Sequence, residues 1–304
     1  MMSFERAREW YRSTRAWVQG REGDERILEL AGAALSELMA RKHAVRSLQD
    51  VEFRVFSQFG DDGIIQWLVR QFPDLPKRFV EFGVEDYSES NTRFLMINNN
   101  WRGLVMDGSA ANIARLKRRN WFWRYDLTAK AHFVTRENVD PFIAAWLDGE
   151  PLGLLHIDVD GNDYWLWDAI RCTSPAIVIV EYNALLGDER AVTIPYKPDF
   201  GRFDAHHSGQ YFGASLPALS FLAQKKGYTF LGCNGAGNNA YYVRNDLVKS
   251  EWRDILANAK FVKPAFRESR DANGRLDYLT YPERQRLIRG LPVVNVVSGD
   301  NEIF

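Results

Sequence analysis

The sequence predicts a doubly wound α/β fold, in which helices cover both faces of a mostly parallel sheet. Short apolar runs alternate with helix-like segments from about residue 50 to residue 250. The run Ala176–Asn183, AIVIVEYN, has the β-branched residues typical of a strand covered on both faces. Polar or acidic residues follow each of the first five runs. Because right-handed crossovers bring the carboxyl ends of parallel strands to one edge, these residues should meet there.

Each element follows from a local pattern of this kind. The predicted strands are Arg78–Val84, Arg102–Gly108, Lys130–Thr135, Leu152–Val159 and Ala176–Asn183, followed by a closing pair at Tyr228–Asn234 and Asn239–Asp246. The predicted helices are Asn91–Asn99, Ala111–Asn120, Glu137–Leu147, Tyr164–Ile170 and Ser215–Gly227, the last of which ends at a glycine.

The chain is expected to have three parts: a helical extension (1–50), the α/β domain (51–250) and a packed tail (251–304). The extension carries an apolar stripe at helical spacing. Its members are Ile27, Ala31, Ala34, Leu35 and Leu38. This stripe either packs on its own domain or forms a homo-oligomer contact or a lid.

Composition excludes several classes of protein. The 304 residues are 46% hydrophobic, and 39 basic against 40 acidic side chains give a net charge of −1. No bulk field therefore favours nucleic acid or an anionic membrane. Cys172 and Cys233 are too few for a disulfide framework, and no run reaches the roughly 20 apolar residues of a membrane span. We expect a soluble cytoplasmic protein.

The ends of the first two strands suggest a nucleoside-bearing cofactor. Glu81 and Gly83 end the first strand, and a glycine permits close approach of the backbone to a ligand. The next helix begins near Asn91, where free N–H groups can bind an anionic group. Asp107 ends the second strand, a place suited to hydrogen-bonding two ribose hydroxyls.

The loop after Gly83 favours S-adenosylmethionine over a dinucleotide. The G-x-G-x-x-G fingerprint is missing, and Glu85, Asp86 and Glu89 would oppose a pyrophosphate. A sulfonium with an amino-acid tail fits such an acidic loop better. An NAD-dependent oxidoreductase is disfavoured on the same ground.

The stretch LLHIDVDGNDYWLW places Asp158, Asp160 and Asp163 within six residues, where carboxylates could form a turn, hold a metal or accept a proton. Asp158 follows the fourth strand and is the predicted catalytic residue, with Asp160 as a second contact. Asp163 is the predicted N-cap of the following helix. Glu181 ends the fifth strand, about 5 Å from its neighbour, so Asp158 and Glu181 are predicted to share a cation such as Mg²⁺, Ca²⁺ or Mn²⁺.

A histidine pair offers an alternative base. His206 and His207 lie together in a loop rich in glycine and phenylalanine, and imidazole titrates near neutral pH. His156 lies within the fourth strand and is expected to be a core histidine. Asp158 acting alone, a histidine base and a shared cation all remain open. The aromatic residues predicted to form an acceptor wall are Tyr196, Tyr211 and Phe212.

Several ordered motifs across residues 50–250 resemble one known family. They are SQFGDDGI (Ser57–Ile64), FVEFGVEDYSESNT, GLVMDGS, IDVDGNDYW, VIVEYN, YFGASLPAL and GCNGAGNNAYYVRNDL. This combination resembles the FkbM-like branch of class I S-adenosylmethionine-dependent methyltransferases. The resemblance implies a seven-stranded Rossmann-like sheet, usually with a reversed last strand, and methylation of hydroxyls on sugars, polyketides or related small molecules.

The resemblance also implies roles for particular residues. Glu81 and Gly83 would hold the methionine end of the cofactor and Asp107 its ribose. The other implied cofactor contacts are Gln58 and Asp62 in the lead-in segment, Gly108 and Ser109 at the adenosine, and residues 136–138, with Glu137, near the adenine. The chain departs from the family in its glycine-poor first loop and in IDVDG where IDVEG is commoner.

The function predicted from the sequence is therefore S-adenosylmethionine-dependent O-methylation of a small hydroxylated acceptor, alone or with a divalent cation. The partners expected are that acceptor and a second copy of the chain through the N-terminal helix, with no nucleic acid and no membrane. A Rossmann-like module that binds the cofactor and acts through a protein partner, without catalysis, is the alternative.

Overall fold

The computed structural model describes residues 24–42 and 44–304, so residues 1–23 of the predicted extension lie outside the described residues. The strands are β1 (Arg78–Phe82), β2 (Arg102–Asp107), β3 (Leu127–Ala131), β4 (Leu154–Ile157), β5 (Ile177–Glu181), β6 (Val192–Thr193), β7 (Tyr228–Cys233), β8 (Asn239–Arg244), β9 (Pro292–Asn295) and β10 (Asn301–Ile303). The helices are α1 (24–40), α2 (Asp61–Arg70), α3 (Arg93–Asn99), α4 (Ala110–Lys117), α5 (Val139–Leu147), α6 (Asp163–Ala169), α7 (Arg202–Ala205), α8 (Leu216–Lys226), α9 (Arg253–Asn258) and α10 (Tyr281–Ile288).

The main sheet has the predicted architecture. In the part of the chain that the structure describes, seven strands pair in the order β3-β2-β1-β4-β5-β8-β7. Neighbours from β3 to β5 are parallel, whereas β8 is antiparallel to both β5 and β7. The mostly parallel, doubly wound Rossmann-like fold with a reversed last strand is thus confirmed. The strand order reverses direction between β1 and β4, which is where such sheets bind ligands.

Apolar side chains cover both faces of this sheet. Along β5, Ile177 and Ile179 join the cluster on one face, while Val178 and Val180 join the cluster on the other. All four are fully buried. This alternation explains why the strand reads as a continuous apolar run.

Helix α1 turns its predicted apolar stripe outward. Ile27 and Leu38 are 66% and 58% exposed. The packed side instead carries Gly32, whose added Cβ would lie 2.5 Å from Val55, and Ser36, whose hydroxyl donates to the Gln66 side chain at 3.1 Å. The helix therefore docks through small and polar residues.

The third strand begins and ends earlier than predicted. It spans Leu127–Ala131 rather than Lys130–Thr135. Leu127 and Ala129 are buried against the core, whereas Phe133 is 51% exposed beyond the strand end. Core burial of the earlier residues decides the register, because a one-residue shift would move every side chain to the opposite face.

The residues after 250 form further structure around the main domain. Among the described residues, β10, β9 and β6 make a second sheet in that order. The segment between α9 and α10 brings Phe266 and Glu268 to the carboxyl edge of the main sheet. None of the described helices has the length and hydrophobicity needed to cross a bilayer.

Candidate functional site

A cavity of about 730 Å³ lies at the carboxyl ends of β1, β2, β4 and β5. We call it the edge cavity. The carboxylates in its lining are Glu81, Glu85, Glu89, Asp107, Asp158, Asp160, Glu181 and Glu268. Its phenylalanines are Phe59, Phe133, Phe200, Phe203, Phe212 and Phe266. Both predicted ends of the site, cofactor and acceptor, thus open into one space.

A second cavity of about 740 Å³ lies at the opposite edge of the sheet, beside the residues that precede β1, β4 and β5. Its lining is largely apolar and includes Cys172. Burial raises the pKa of that thiol to about 12, so it is not a nucleophile at neutral pH. Although this cavity is slightly larger, the edge cavity holds the groups able to do chemistry.

Glu81 and His156 form a buried pair between β1 and β4. They are direct partners in the parallel pairing of the two strands, and His156 Nδ1 lies 2.9 Å from Glu81 Oε1. Burial opposes charge on both groups, but the hydrogen bond and mutual attraction outweigh it. The pKa of Glu81 is therefore lowered and that of His156 is raised. His156, predicted to be only a core residue, lines the edge cavity.

The same carboxylate organises the start of α3. Glu81 accepts hydrogen bonds from Ser90 Oγ at 2.7 Å, from the Asn91 amide at 3.0 Å, and from the Thr92 amide and hydroxyl. These bonds hold residues 90–92 outside the helix, which begins at Arg93 rather than at Asn91. Glu81 thus positions residues 90–92, and its oxygens are largely occupied by protein donors. Asn91 lines the cavity and its side-chain amide lies 3.1 Å from His156 Nε2.

Position 83 requires glycine because of its backbone conformation and its close contact with the segment after β4. Its φ is +73°, and a Cβ there would lie 1.6 Å from the carbonyl oxygen of Asp158. The end of β1 therefore contacts the segment after β4 directly. Only glycine permits this approach, which sets the distance between the cofactor and acceptor sides.

In the loop after Gly83, two residues that are not glycine adopt the positive φ that normally favours glycine. Glu85 and Tyr87 have φ of +47° and +61°. Such backbone is costly for non-glycine residues and must be held by its surroundings. Asp107 Oδ2 accepts the Glu85 amide at 2.9 Å, and the Tyr87 hydroxyl bonds Thr92 Oγ1 at 2.8 Å.

Asp107 links this loop to the next helix. Its Oδ1 accepts the Ser109 amide at 2.7 Å and the Asn112 side chain at 3.1 Å. A carboxylate offers about four acceptor positions, so Asp107 retains capacity for a ligand hydroxyl. It lies in the lining, as predicted for a ribose contact.

The remaining predicted cofactor residues divide into two groups. Gln58 and Gly108 line the edge cavity. Asp62, Ser109 and Glu137 are not in its lining among the described residues.

Each residue of the second group has a visible local role instead. Asp62 Oδ2 accepts the backbone amides of residues 55–57 and so shapes the segment that carries Gln58. Ser109 caps α4. Glu137 is exposed and accepts the Tyr196 hydroxyl at 2.5 Å.

On the acceptor side, three carboxylates converge. One oxygen each from Asp158, Asp163 and Glu181 lies within 4.8 Å of the others. Burial and the Asp160 charge raise the pKa of Asp158 to about 7. Burial and the three neighbouring aspartates raise the pKa of Glu181 well above its usual range. Carboxylates this close disfavour one another's charged forms, so a shared proton or cation would relieve their repulsion.

Asp163 was predicted to cap α6, and this is wrong in detail. Asn162 is the N-cap and Asp163 is the first helical residue. The Asp163 carboxylate accepts the amides of Val159 at 2.8 Å and Gly161 at 3.0 Å. These two hydrogen bonds hold residues 159–163 in a tight turn. The turn places the Asp163 carboxylate beside those of Asp158 and Glu181.

Two buried oxygens in this region lack a hydrogen-bond partner among the described residues. They are Glu181 Oε2 and Asn162 Oδ1, and both residues line the edge cavity. The amide nitrogen of Asn162 donates to the Lys197 carbonyl at 2.8 Å, which orients the side chain. Buried acceptors without a donor are costly, so these oxygens are suited to a ligand.

Asp160 and Arg202 form an ion pair at the rim, with Oδ1 and Nη1 2.6 Å apart. Asp160 has φ of +54°. The Arg202 guanidinium lies 4.2 Å from the Phe212 ring centroid and also donates to the Gly209 carbonyl.

The histidine pair does not lie in the described lining of the edge cavity. His206 bonds Ser208 through Nδ1 at 2.7 Å, and His207 is exposed. Burial and the adjacent His207 lower the pKa of His206. Neither histidine is therefore placed against the edge cavity, and their roles as bases stay predictions.

The predicted acceptor wall is only partly present. Phe212 lines the cavity, whereas Tyr196 and Tyr211 do not. The Tyr211 hydroxyl donates to the Pro292 carbonyl and so anchors β9.

Comparison with known proteins finds no matching family model and no matching curated protein. Solved structures do match. The N-terminal domain of EvdMO1 with SAH bound is 14% identical, with a TM-score of 0.39 over 62% of this chain and 80% of that one. CalS11, a TDP-rhamnose 3′-O-methyltransferase of calicheamicin biosynthesis, is 17% identical, with a TM-score of 0.39 over 70% and 92%. An S-adenosylmethionine-dependent methyltransferase from Clostridium acetobutylicum is 10% identical, with a TM-score of 0.37 over 60% and 90%. The strand order of the main sheet defines the fold.

Sequence reasoning missed several site residues. His156, expected to be only a core residue, is a polar residue inside an otherwise apolar strand and faces the predicted site residue Glu81 on the neighbouring strand, and that shared irregularity was a usable signal. Phe200 and Glu268 come from a loop and the tail, and Arg202 begins the four-residue helix α7, where the sequence carries no comparable pattern.

Proposed function

We propose that the chain is an S-adenosylmethionine-dependent O-methyltransferase of the FkbM-like type that acts on a hydroxyl of a small sugar or natural product. The observation that carries this proposal is the edge cavity. It joins a cofactor end, with Asp107 and the loop held by Glu81, to an acceptor end with Asp158 and Glu181.

Methyl transfer from a sulfonium requires few catalytic groups from the protein. The methyl of a sulfonium is already reactive, so the enzyme aligns the acceptor oxygen in line with the methyl carbon and removes its proton. S-adenosylmethionine, when bound, would supply the methyl group and leave as the thioether, and Asp158 would accept the proton of the acceptor hydroxyl. A carboxyl with a pKa of about 7 is suited to that role near neutral pH.

The acceptor end also fits a divalent cation. Asp158, Glu181 Oε2 and Asn162 Oδ1 are oxygen donors of the kind that Mg²⁺, Ca²⁺ and Mn²⁺ prefer, and the last two lack partners among the described residues. Asp163 is a poorer ligand because each of its oxygens accepts a backbone amide. A bound cation would acidify the acceptor hydroxyl.

The exposed stripe of α1 supports association with a second copy of the chain. Ile27, Leu30 and Leu38 are each more than half exposed. Such side chains on one helix are commonly covered by a partner. Sedimentation of the wild type and of Leu30→Glu tests this assignment, because a monomeric wild type contradicts it.

The function is tested by titration calorimetry with S-adenosylmethionine and S-adenosylhomocysteine. Wild type should bind both, Asp107→Ala should bind at least tenfold more weakly, and Asp199→Asn, at an exposed position, should match wild type. Absence of binding by wild type overturns the proposal. Cofactor binding without methyl transfer to any of a panel of sugars and natural products favours the non-catalytic module instead.

A further inference from the structure

The charge of the acceptor can be read from the basic side chains of the edge cavity. In the described lining these are Arg202, His132 and His156. His156 is bonded to Glu81, and His132 Nε2 lies 3.4 Å from the Asn138 amide. Arg202 is therefore the group that would have to bind an anionic acceptor.

Arg202 is already engaged by the protein. Its guanidinium pairs with Asp160 at 2.6 Å, donates to the Gly209 carbonyl and stacks on Phe212. Its side chain is only 16% exposed. The charge that elsewhere binds phosphate or carboxylate is thus already paired with Asp160, and two of the guanidinium nitrogens, Nε and Nη1, donate to protein oxygens.

The rest of the acceptor end calls for hydrogen-bond donors. Glu181 Oε2 and Asn162 Oδ1 are buried acceptors without partners in the described chain. With no cation bound there, hydroxyl groups can donate to such oxygens, whereas a phosphate or carboxylate would be repelled by the charge of Asp160, which already raises the pKa of Asp158. Phe59 and Phe266, with rings stacked 5.5 Å apart at the cavity wall, provide an apolar surface for a sugar or ring face.

We infer that the acceptor is an uncharged, hydroxyl-rich molecule with an apolar face, and that Asp160 enforces this specificity by holding Arg202 away from anions. This inference rests on the proposed function, of which it names the substrate class. It assigns Asp160 a role in selecting the acceptor rather than in moving a proton.

Inorganic phosphate is the test ligand, titrated into wild type, Asp160→Asn and Asp160→Asn/Arg202→Gln, each with and without S-adenosylhomocysteine. Asparagine tolerates the positive φ at position 160, so the single variant should fold. Wild type should bind phosphate only weakly, without reaching saturation over the titrated range. Asp160→Asn should bind phosphate about ten- to hundredfold more tightly than wild type, the range expected of a charge-assisted hydrogen bond. The double variant should lose this gain, and Asp199→Asn should behave as wild type.

Two outcomes overturn the inference. Phosphate binding by wild type that Arg202→Gln abolishes would show that Arg202 is available to anions. Failure of a folded Asp160→Asn to gain phosphate binding would show that Asp160 is not what restrains Arg202. Neither readout depends on methyl transfer, so the proposed function can fail in the cofactor titration while this result stands.

Discussion

His156 Nδ1 lies 2.9 Å from Glu81 Oε1 in the pairing of β4 with β1. This contact joins the strand that ends at the cofactor loop to the strand that ends at Asp158. Glu81 in turn accepts the amides and hydroxyls of residues 90–92. One buried pair therefore positions both ends of the edge cavity.

Removal of His156 should destabilise the fold and weaken the cofactor end. His156→Ala leaves Glu81 buried without its charged partner, which typically costs about 3–5 kcal/mol. We expect urea unfolding to show that loss, together with weaker S-adenosylhomocysteine binding. His207→Ala, at an exposed position, should change the free energy of unfolding by less than about 0.5 kcal/mol. Equal stability of the two variants would contradict the assigned role of the pair.

Gly83→Ala tests the close contact between β1 and the segment after β4. The added Cβ would lie 1.6 Å from the Asp158 carbonyl oxygen, so the backbone must separate. We expect a loss of roughly 4 kcal/mol or more in unfolding free energy, and loss of cofactor binding. Gly149→Ala is the matched control, since its φ is +82° but nothing lies within 4 Å of the new Cβ. It should cost only about 1–2 kcal/mol.

Asp158→Asn should abolish most of the activity without affecting the cofactor end. Loss of a general base lowers kcat by about 10²- to 10⁴-fold. S-adenosylhomocysteine affinity should stay within a few fold of wild type. His206→Ala and His207→Ala should retain near-wild-type kcat. If a histidine variant is inactive while Asp158→Asn turns over normally, the base belongs to the histidine pair.

A divalent cation should stabilise the wild-type protein. With Mn²⁺ or Mg²⁺ at 100 times its Kd, the expected gain is about 2.7 kcal/mol, visible as a rise in Tm of several degrees. EDTA should reverse the rise, and Glu181→Gln should abolish it. Glu89→Gln, at the exposed cofactor loop, should respond as wild type. Activity that survives EDTA, with no cation-dependent rise in Tm, removes the cation from the proposal.

Asp62 should make stability depend on pH. Burial raises its pKa from the ordinary 3.8 to about 6, against the hydrogen bonds it accepts from residues 55–57. Because the folded pKa is the higher one, protonation favours folding. Its stabilising contribution is complete below about pH 3.8 and is lost as pH rises through 6, by roughly 3 kcal/mol in total. The difference in unfolding free energy between wild type and Asp62→Asn should follow this curve, whereas the difference for Asp199→Asn should stay flat.

The sheet was predictable because its determinants are local. Runs such as IVIVE in β5 bury both faces, so periodicity and β-branching identify them. The boundary of β3 was wrong, because burial of Leu127 and Ala129 outweighed the more apolar-looking segment after it.

The candidate site was predictable only in part, because some of its contacts join residues that are distant in the sequence. Asp107 and Glu181 end β2 and β5, Asp158 follows β4 directly, and their meeting at one edge follows from the parallel sheet. The engagement of Arg202 by Asp160 joins residues 42 positions apart through a loop, and no period in the sequence encodes it.

The residues alone specify the fold class, the edge at which chemistry collects, and the acidic character of the cofactor loop. All three depend on the spacing of apolar residues and on which residue follows each strand, and both can be read directly from the sequence. Which carboxylates are occupied and which remain open to a ligand depends on contacts between distant segments. The oxygens of Glu81 accept hydrogen bonds from the loop before α3, and those of Asp163 accept them from its own turn. Glu181 keeps one buried oxygen without a partner in the described chain. These hydrogen bonds and this burial involve residues that are far apart in the sequence. Only the folded structure therefore shows which carboxylates are occupied and which are open to a ligand.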